Sequence, residues 1–388
     1  MTRRAVVAAL GTTQTLAWAS SYYLPAILAD PMARDLQLPR SAIFGAFSAA
    51  MLLTAALGPS IGRAIDRRGG RVVLTVSNVV FASGLLLLGA AQGPIILAVA
   101  WGVLGVGMAL GLYDTAFAAL TRLYGLEARS AITGITLIAG FASTVGWPLS
   151  TLLNDAVGWR GACFTWAALH VLLGLPLNAL LIPRGITPAP TTSRPSVMEI
   201  PPSRFAFVAL SFVFAVTWFV STAMAAHLPH LLERAGASPA AAIAAAALVG
   251  PAQVAARVVE FSLMRWLKPL RAAQVATVLH PLGAVALMAA GGPAAAIFAV
   301  LHGAGNGLLT IAKGTLPLVI FGPSGYGLRT GWLSAPARMM QAVAPFAFGL
   351  CIDAWGSGAV VISSALSLAA LGALLAMRIP RTAARQAT

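Results

Sequence analysis

Residues 83–113, SGLLLLGAAQGPIILAVAWGVLGVGMALGLY, run without one charged side chain. Stretches of this kind recur along the chain, each closed by Gly, Pro or a short charged cluster. About twenty apolar residues rising 1.5 Å each cross the hydrocarbon core of a bilayer, and within lipid a helix satisfies its own backbone hydrogen bonds. The pattern predicts an all-α membrane protein. Twelve segments reach the required length, near 5–28, 41–62, 71–91, 94–121, 129–153, 160–182, 205–228, 239–263, 271–290, 293–320, 328–351 and 358–377. Composition agrees: 59% of the 388 residues are hydrophobic, against about 45–50% in a soluble domain.

The net charge of +15 would suggest nucleic acid in a soluble protein. Here the basic residues gather at the ends of apolar segments, and no aromatic-interleaved basic patch is present, so no nucleic-acid partner is expected. An even number of crossings puts both termini on one side. Termini inside gives a cytoplasmic face holding Arg3, Arg4, Arg63, Arg67, Arg68, Arg71, Arg122, Arg129, Arg265, Lys268, Arg271 and Arg329, with the linker and C-terminal arginines. Arg34, Arg40, Arg160 and Arg234 alone are left outside. By the positive-inside rule this predicts a multi-pass bacterial inner-membrane protein with cytoplasmic termini. The start, MTRRAVVAALG, has the charged and apolar regions of a signal peptide, but the segment continues to Leu28 and reads as an uncleaved first helix. Cys163 and Cys351 both lie in apolar segments and suggest neither a disulfide framework nor a zinc site.

The longest polar interruption, PRGITPAPTTSRPSVMEIPPSR, is rich in Pro, Ser and Thr and reads as a linker. It divides the chain into an N-terminal bundle (1–182), a cytoplasmic linker (183–204) and a C-terminal bundle (205–388). The halves echo each other at an offset of 198 residues: GVLGVGMALGLYD in segment four with HGAGNGLLTIAK in segment ten, and NDAVG (154–158) with IDAWG (352–356). Such echoes suggest duplicated six-helix bundles.

Against that sparsely charged background, GRAIDRRGGR (62–71) stands out between segments two and three. Gly62 allows close helix approach, Asp66 can accept hydrogen bonds from the first amides of a neighbouring helix or from an Arg, and Gly69 and Gly70 permit a tight turn. The decapeptide matches Gly-x-x-x-Asp-Arg-x-Gly-x-Arg, and on this motif, the twelve segments and the central linker the whole chain resembles the major facilitator superfamily. The resemblance implies two pseudosymmetric six-helix bundles. It also implies that the loop, through Gly62, Asp66, Arg67, Gly69 and Arg71, latches the halves together in the outward-facing state. A plain topology signal is the alternative reading of the same charges. The drug/proton antiporters of this superfamily carry an Arg on segment four where this chain has Trp101, and their segment-five signature survives only as GFASTVGWP.

Ionisable groups inside a membrane are costly unless hydrated or paired, so each is a functional candidate. Asp114, Arg257, Lys313 and Arg338 lie deepest, and Glu260 is nearer the inner face. The resemblance implies that segments one, four, seven and ten line a central cavity. Asp114 corresponds by the repeat offset to Ala312, beside Lys313, so acid and amine could face one another. Asp114 is expected to be the proton-coupling acid, with Lys313 or Arg257 releasing it or holding an anionic solute; a permanent ion pair that only orients helices is the alternative. Gln253 lies one turn before Arg257. Monocarboxylate and oxalate/formate carriers have Asp-x-x-x-Arg at the similar place, so the carboxylate-binding Arg is kept here while its acidic partner is Gln. Trp18, Tyr113, Asn306 and Arg338 complete the expected solute-binding set, with Gln14, Tyr22 and Tyr23 in segment one, Trp218 in segment seven and Gln341 near Arg338 as further polar and aromatic positions. His227 and His230 flank Pro229 and read as a solvated interface, not a metal site.

The expectation is a secondary active transporter, not an enzyme. It moves a small organic anion or efflux substrate by alternating access, as a monomer in the lipid bilayer, with a proton and no other cofactor. YDTAFAAL and AKGTLPLVIFGPSGYG also look similar to a branch that includes arsenical exporters, which makes arsenite an alternative solute. A non-transporting receptor or scaffold is a third reading.

Overall fold

The structure is a computed structural model that describes residues 2–183, 203–262 and 268–377. Most of the expected linker (183–204), together with Arg265 and the C-terminal arginines, lies outside the described residues. The described chain is all helix. In the first half run α1 (Arg3–Ser20), α2 (Pro25–Asp35), α3 (Arg40–Arg68), α4 (Gly70–Gly89), α5 (Pro94–Gly111), α6 (Tyr113–Tyr124), α7 (Ala128–Ala139), α8 (Ala142–Leu169) and α9 (Leu175–Leu181). The second half comprises α10 (Arg204–Arg234), α11 (Pro239–Ala247), α12 (Val249–Ser262), α13 (Pro269–Ala290), α14 (Ala295–Phe321), α15 (Tyr326–Trp355) and α16 (Ala359–Ala376).

Eight helical stretches among the described residues are long and apolar enough to cross a membrane, three of them, Pro94–Leu181, Pro239–Ser262 and Tyr326–Ala376, running through more than one α-helix. They overlap every expected segment except the first, whose α1 carries Thr12, Thr13, Gln14 and Thr15 in its middle.

Several segments that read as continuous are broken, and the breaks have local causes. Segment one stops at Ser20 and restarts at Pro25, whose missing amide suits a first helical position. Segment four divides at Leu112, which is extended (φ −84°, ψ −175°) and puts Asp114 in the first turn of α6 instead of mid-helix. Within α8 the chain turns at Gly158 (φ +72°), a backbone conformation glycine adopts without strain.

One hydrophobic cluster is built almost wholly from residues before position 183, joined by Leu318 and Tyr326. Two others hold only residues of the second half. Between them α3 packs along α15 through paired small residues. A Cβ on Gly62 would collide with the Gly327 carbonyl, and one on Gly331 would meet Gly58 O at 2.6 Å. Both helices thus present Gly-x-x-x-Gly where they cross, which lets the backbones touch. On the other flank α7 meets α12 and α14.

Candidate functional site

The site forms where α1, α6, α10, α14 and α15 converge. Because the chain is extended at Leu112, α6 begins with Tyr113 and Asp114 pointing into this junction. Lys313 Nζ lies 2.9 Å from Asp114 Oδ1, and Arg338 Nη2 lies 3.2 Å from Oδ2. Ser334, one turn before Arg338 on α15, donates to Oδ1 at 3.2 Å. The carboxylate belongs to the first half and all three partners to the second. Both cations are buried, at 4% and 2% side-chain exposure, while Asp114 keeps 24%.

Aromatic rings frame these charges. Trp18 and Trp218, one from each half, lie parallel with centroids 6.4 Å apart. Lys313 Nζ is 5.0 Å from the Trp218 ring, and the Arg338 guanidinium is 5.9 Å from each indole. Cations over indole faces gain from the ring quadrupole. Tyr113 packs against Trp18 at 5.1 Å. Arg338 Nη1 donates to Gln341 Oε1 (3.1 Å), and Gln341 Nε2 to the Tyr22 hydroxyl (3.3 Å). The Trp18 indole N–H and Arg338 Nε are buried without a hydrogen-bond partner among the described residues, so two donors stand unmatched beside the pair.

Arg257 lies apart from Asp114. Its guanidinium donates to Gly307 O (3.3 Å), Thr136 O (3.2 Å) and Thr310 Oγ1 (3.3 Å), tying α12 to α7 and α14. A Cβ on Gly140 would occupy the place of Arg257 Nη1, which gives the glycine of GFASTVGWP a steric reason. Arg257 stays within electrostatic reach of Tyr23 and Tyr113 and makes no ion pair among the described residues. Gln253 packs by its backbone against Gly307. Asn306 faces a small cavity it shares with His280 and His302. Of the sequence candidates, Asp114, Lys313, Arg338, Trp18 and Tyr113 therefore come together, Arg257 borders them, and Gln253 and Asn306 do not join them.

The decapeptide sits at the end of the α3–α15 crossing. Asp66 accepts from the amides of Gly327 (2.8 Å) and Leu328 (2.8 Å), the opening residues of α15. These amides have no intrahelical partner, and the helix dipole adds to their pull on a carboxylate. Arg122 donates to the Asp66 carbonyl and, at 3.4 Å, to Arg67 O. Nearby Arg129 reaches Glu260 across the halves at 3.9 Å. Gly69 has φ +87° and joins α3 to α4. The Arg71 carbonyl accepts from the Thr75 hydroxyl one turn into α4.

His227 is half-buried and bonds the Pro345 carbonyl at 2.7 Å, while His230 is exposed. Cys163 is buried in the first-half cluster, and Cys351 packs against a second-half one. The two thiols share no site. Sequence reasoning missed Ser334; its i,i+4 relation to Arg338 in SAPAR was the available signal.

Comparison with known proteins fits this architecture. The family model described as Major Facilitator Superfamily matches residues 10–298. An uncharacterised 38 kDa protein encoded in a 23S RNA operon of Thermoproteus tenax is 27% identical over 354 residues, covering 91% of this chain and 90% of that protein. An MFS-type efflux pump of Mycolicibacterium smegmatis is 30% identical over 184 residues, 46% of this chain and 41% of the pump. Among solved structures, the human organic anion transporter MFSD10 (TETRAN) superposes with a TM-score of 0.71 at 15% identity, covering 96% of this chain and 100% of that one. The transporter FucP in its outward conformation gives 0.73 at 14%, covering 95% and 97%. With its family model matched over most of its length and its fold shared with transporters, the chain belongs to the Major Facilitator Superfamily and is a multi-pass membrane transporter, not an enzyme.

Proposed function

We propose that the chain is a proton-coupled secondary transporter that carries a small organic anion by alternating access, its two six-helix halves and twelve crossings rocking about the Asp114 site. The observation that carries this reading is the charge imbalance there. One carboxylate faces two buried cations, and Arg257 adds a third positive charge nearby with no carboxylate partner among the described residues. Arg338 Nε and the Trp18 N–H are donors in need of an acceptor, and a buried donor left unmatched costs about 1–3 kcal/mol. A carboxylate-bearing solute with an apolar body would supply both the charge and the acceptors, while Trp18, Trp218 and Tyr113 offer it faces to lie against. The organic-anion transporter among the structural neighbours is consistent with that chemistry.

Proton coupling follows from competition for Lys313 and Arg338. While Asp114 is ionised it holds both cations; protonated, it releases them to the incoming anion, and solute departure lets the ion pairs reform. Meanwhile Asp66 and the Gly-x-x-x-Gly crossing keep the cytoplasmic side closed, and the stacked indoles close the middle. Cytoplasmic termini and an inner-membrane location agree with the distribution of arginines. The arsenite alternative gains nothing from two cysteines in separate clusters.

The test is flux in proteoliposomes holding the purified protein, with a panel of radiolabelled monocarboxylates and dicarboxylates under an imposed proton gradient. Uphill movement of at least one acid, with Asp114→Asn retaining exchange but losing gradient-driven accumulation, is expected. Gradient-driven accumulation by that variant would refute the role of Asp114. Transport of neutral or cationic solutes only would refute the choice of anion, and absence of any flux would favour a scaffold.

A further inference from the structure

A second buried polar cluster lies inside the C-terminal half, away from Asp114. His280 on α13 and His302 on α14 place their Nδ1 atoms 3.0 Å apart, and His280 Nε2 lies 2.9 Å from Ser363 Oγ on α16. Two imidazole nitrogens at that separation must share a hydrogen, so one is N–H and the other bare. The direction of that bond is fixed from its far end. Ser363 donates its single hydroxyl hydrogen to Val360 O (2.9 Å) and can therefore only accept from His280 Nε2–H. With its hydrogen on Nε2, neutral His280 has a bare Nδ1, which accepts from His302 Nδ1–H. His302 is left with a bare Nε2.

That nitrogen has no hydrogen-bond partner among the described residues, although His302 is 4% exposed. It is also absent from the sealed, unpartnered polar atoms, so it borders open space, and His302 lines a small cavity with Thr217, Ser221, Thr277 and Asn306. His170, the buried histidine of the first half, is the contrast. Asn78 Nδ2 donates to Leu74 O, so Asn78 Oδ1 accepts from His170 Nδ1–H at 2.9 Å, and the Ser20 hydroxyl meets Nε2 at 2.8 Å. Both nitrogens of His170 are satisfied in the neutral ring; His302 has one acceptor to spare.

We propose that His302 is a second proton-binding site of this transporter, loaded at Nε2 from the cavity and held in register by His280 and Ser363. A hydronium ion reaching the cavity gives up one proton to the Nε2 lone pair: its O–H bond breaks to leave neutral water as the Nε2–H bond forms, and His302 becomes an imidazolium whose Nδ1–H still donates to His280. His302, Asn306, Leu309 and Lys313 follow one stripe of α14 at helical spacing, so the site lies about 16 Å along that helix from the Asp114 pair. Of the helices packed around His302, α13 brings His280 and α12 brings Arg257, which is engaged with Gly307 and Thr310 further along α14. The carboxylate of α12, Glu260, pairs instead with Arg129. From α10 and α16 come hydroxyls only, Thr217, Ser221, Ser363 and Ser367, and α11 carries no ionisable side chain. Among the described residues no counter-charge faces His302, so a proton gained there adds net charge to the second half, a charge that water in the cavity can solvate.

The test reads ring nitrogens directly and needs no transported solute. The full-length protein, labelled with 15N-histidine and reconstituted in lipid bilayers, is titrated toward acid and followed by solid-state NMR, which separates Nδ1–H, Nε2–H and imidazolium forms of its five histidines. His302→Gln and His280→Asn assign the signals, each independently should the other misfold. In the neutral protein His302 should be Nδ1–H and His280 Nε2–H. On acidification His302 should charge before His280 and His170, and His302→Gln should bind one proton fewer. Asp114→Asn should leave this titration in place, which separates the proposal from the assignment of Asp114. Opposite tautomers, charging of His280 first, or rings that stay neutral until unfolding would overturn it. So would Zn(II) binding with coordination shifts at both Nδ1 atoms, which would make the pair a metal site.

Discussion

Removing Asp114 should cost far more stability than removing Lys313, because two cations share one carboxylate. In Asp114→Asn the Lys313 and Arg338 charges remain buried, at 4% and 2% exposure, with no anion between them. Deleting one partner of a buried ion pair costs about 3–5 kcal/mol, and repulsion between the two cations adds to that. In Lys313→Met the Asp114–Arg338 bond at 3.2 Å and the Ser334 bond survive. The thioether chain can still lie against Trp218, and the charge desolvation of the ammonium is gone, so a loss of about 1 kcal/mol or less is expected. The double variant restores the native net charge of the site and should be more stable than Asp114→Asn alone, with a coupling energy of about 1–3 kcal/mol. Unfolding in mixed micelles by titration with sodium dodecyl sulfate, for wild type and all three variants, measures these differences. Equal losses for the two single variants, or a double variant whose losses simply add, would show that Lys313 and Asp114 do not share one electrostatic site.

Asp66→Asn removes the charge from two 2.8 Å bonds to Gly327 and Leu328; charge-assisted bonds contribute about 1.5–3 kcal/mol each. With Cys163 and Cys351 replaced by Ser, a Thr330→Cys reporter in the α3–α15 seam should then label several-fold faster with a cytoplasmic maleimide, and an unchanged rate would count against a latch. Gly62→Val should destabilise by about 1–3 kcal/mol through overpacking, since its side chain would strike the Gly327 carbonyl; a micelle denaturation midpoint at the wild-type value would contradict the crossing. Gly140→Ala should displace the Arg257 guanidinium and weaken anion binding in thermal-shift titrations, whereas the neighbouring Gly134→Ala would meet only Val7. The Cys163→Ser/Cys351→Ser variant should keep wild-type flux of the transported acid, and a large loss would revive a thiol-binding solute.

Individual side chains differ in how far the sequence disclosed their roles. Asp66 was readable because its environment is local: a short loop between two apolar segments, with glycines placed for a tight turn. Asp114 and Lys313 could be singled out because a charge in an apolar run is conspicuous, and the repeat offset set them at matching depth. Arg338 was equally conspicuous, but its bond to the same carboxylate was not deducible, since segment eleven has no sequence relation to segment four. His280 and His302 passed unremarked because each is a lone histidine on its own helix, and lone histidines are commonly satisfied packing residues, as His170 is.

The chain's apolar runs, their lengths and the arginines at their ends determined that it is a helical membrane protein, because the bilayer acts on each segment separately through hydrophobicity and backbone satisfaction. Which helix faces which was decided only in three dimensions. The extended backbone at Leu112 aims Asp114 into the junction, the facing glycines of α3 and α15 bring the two halves into contact, and that contact gives one carboxylate two cations from distant helices. Such pairing depends on shape complementarity between surfaces far apart in sequence, and no local pattern encodes it.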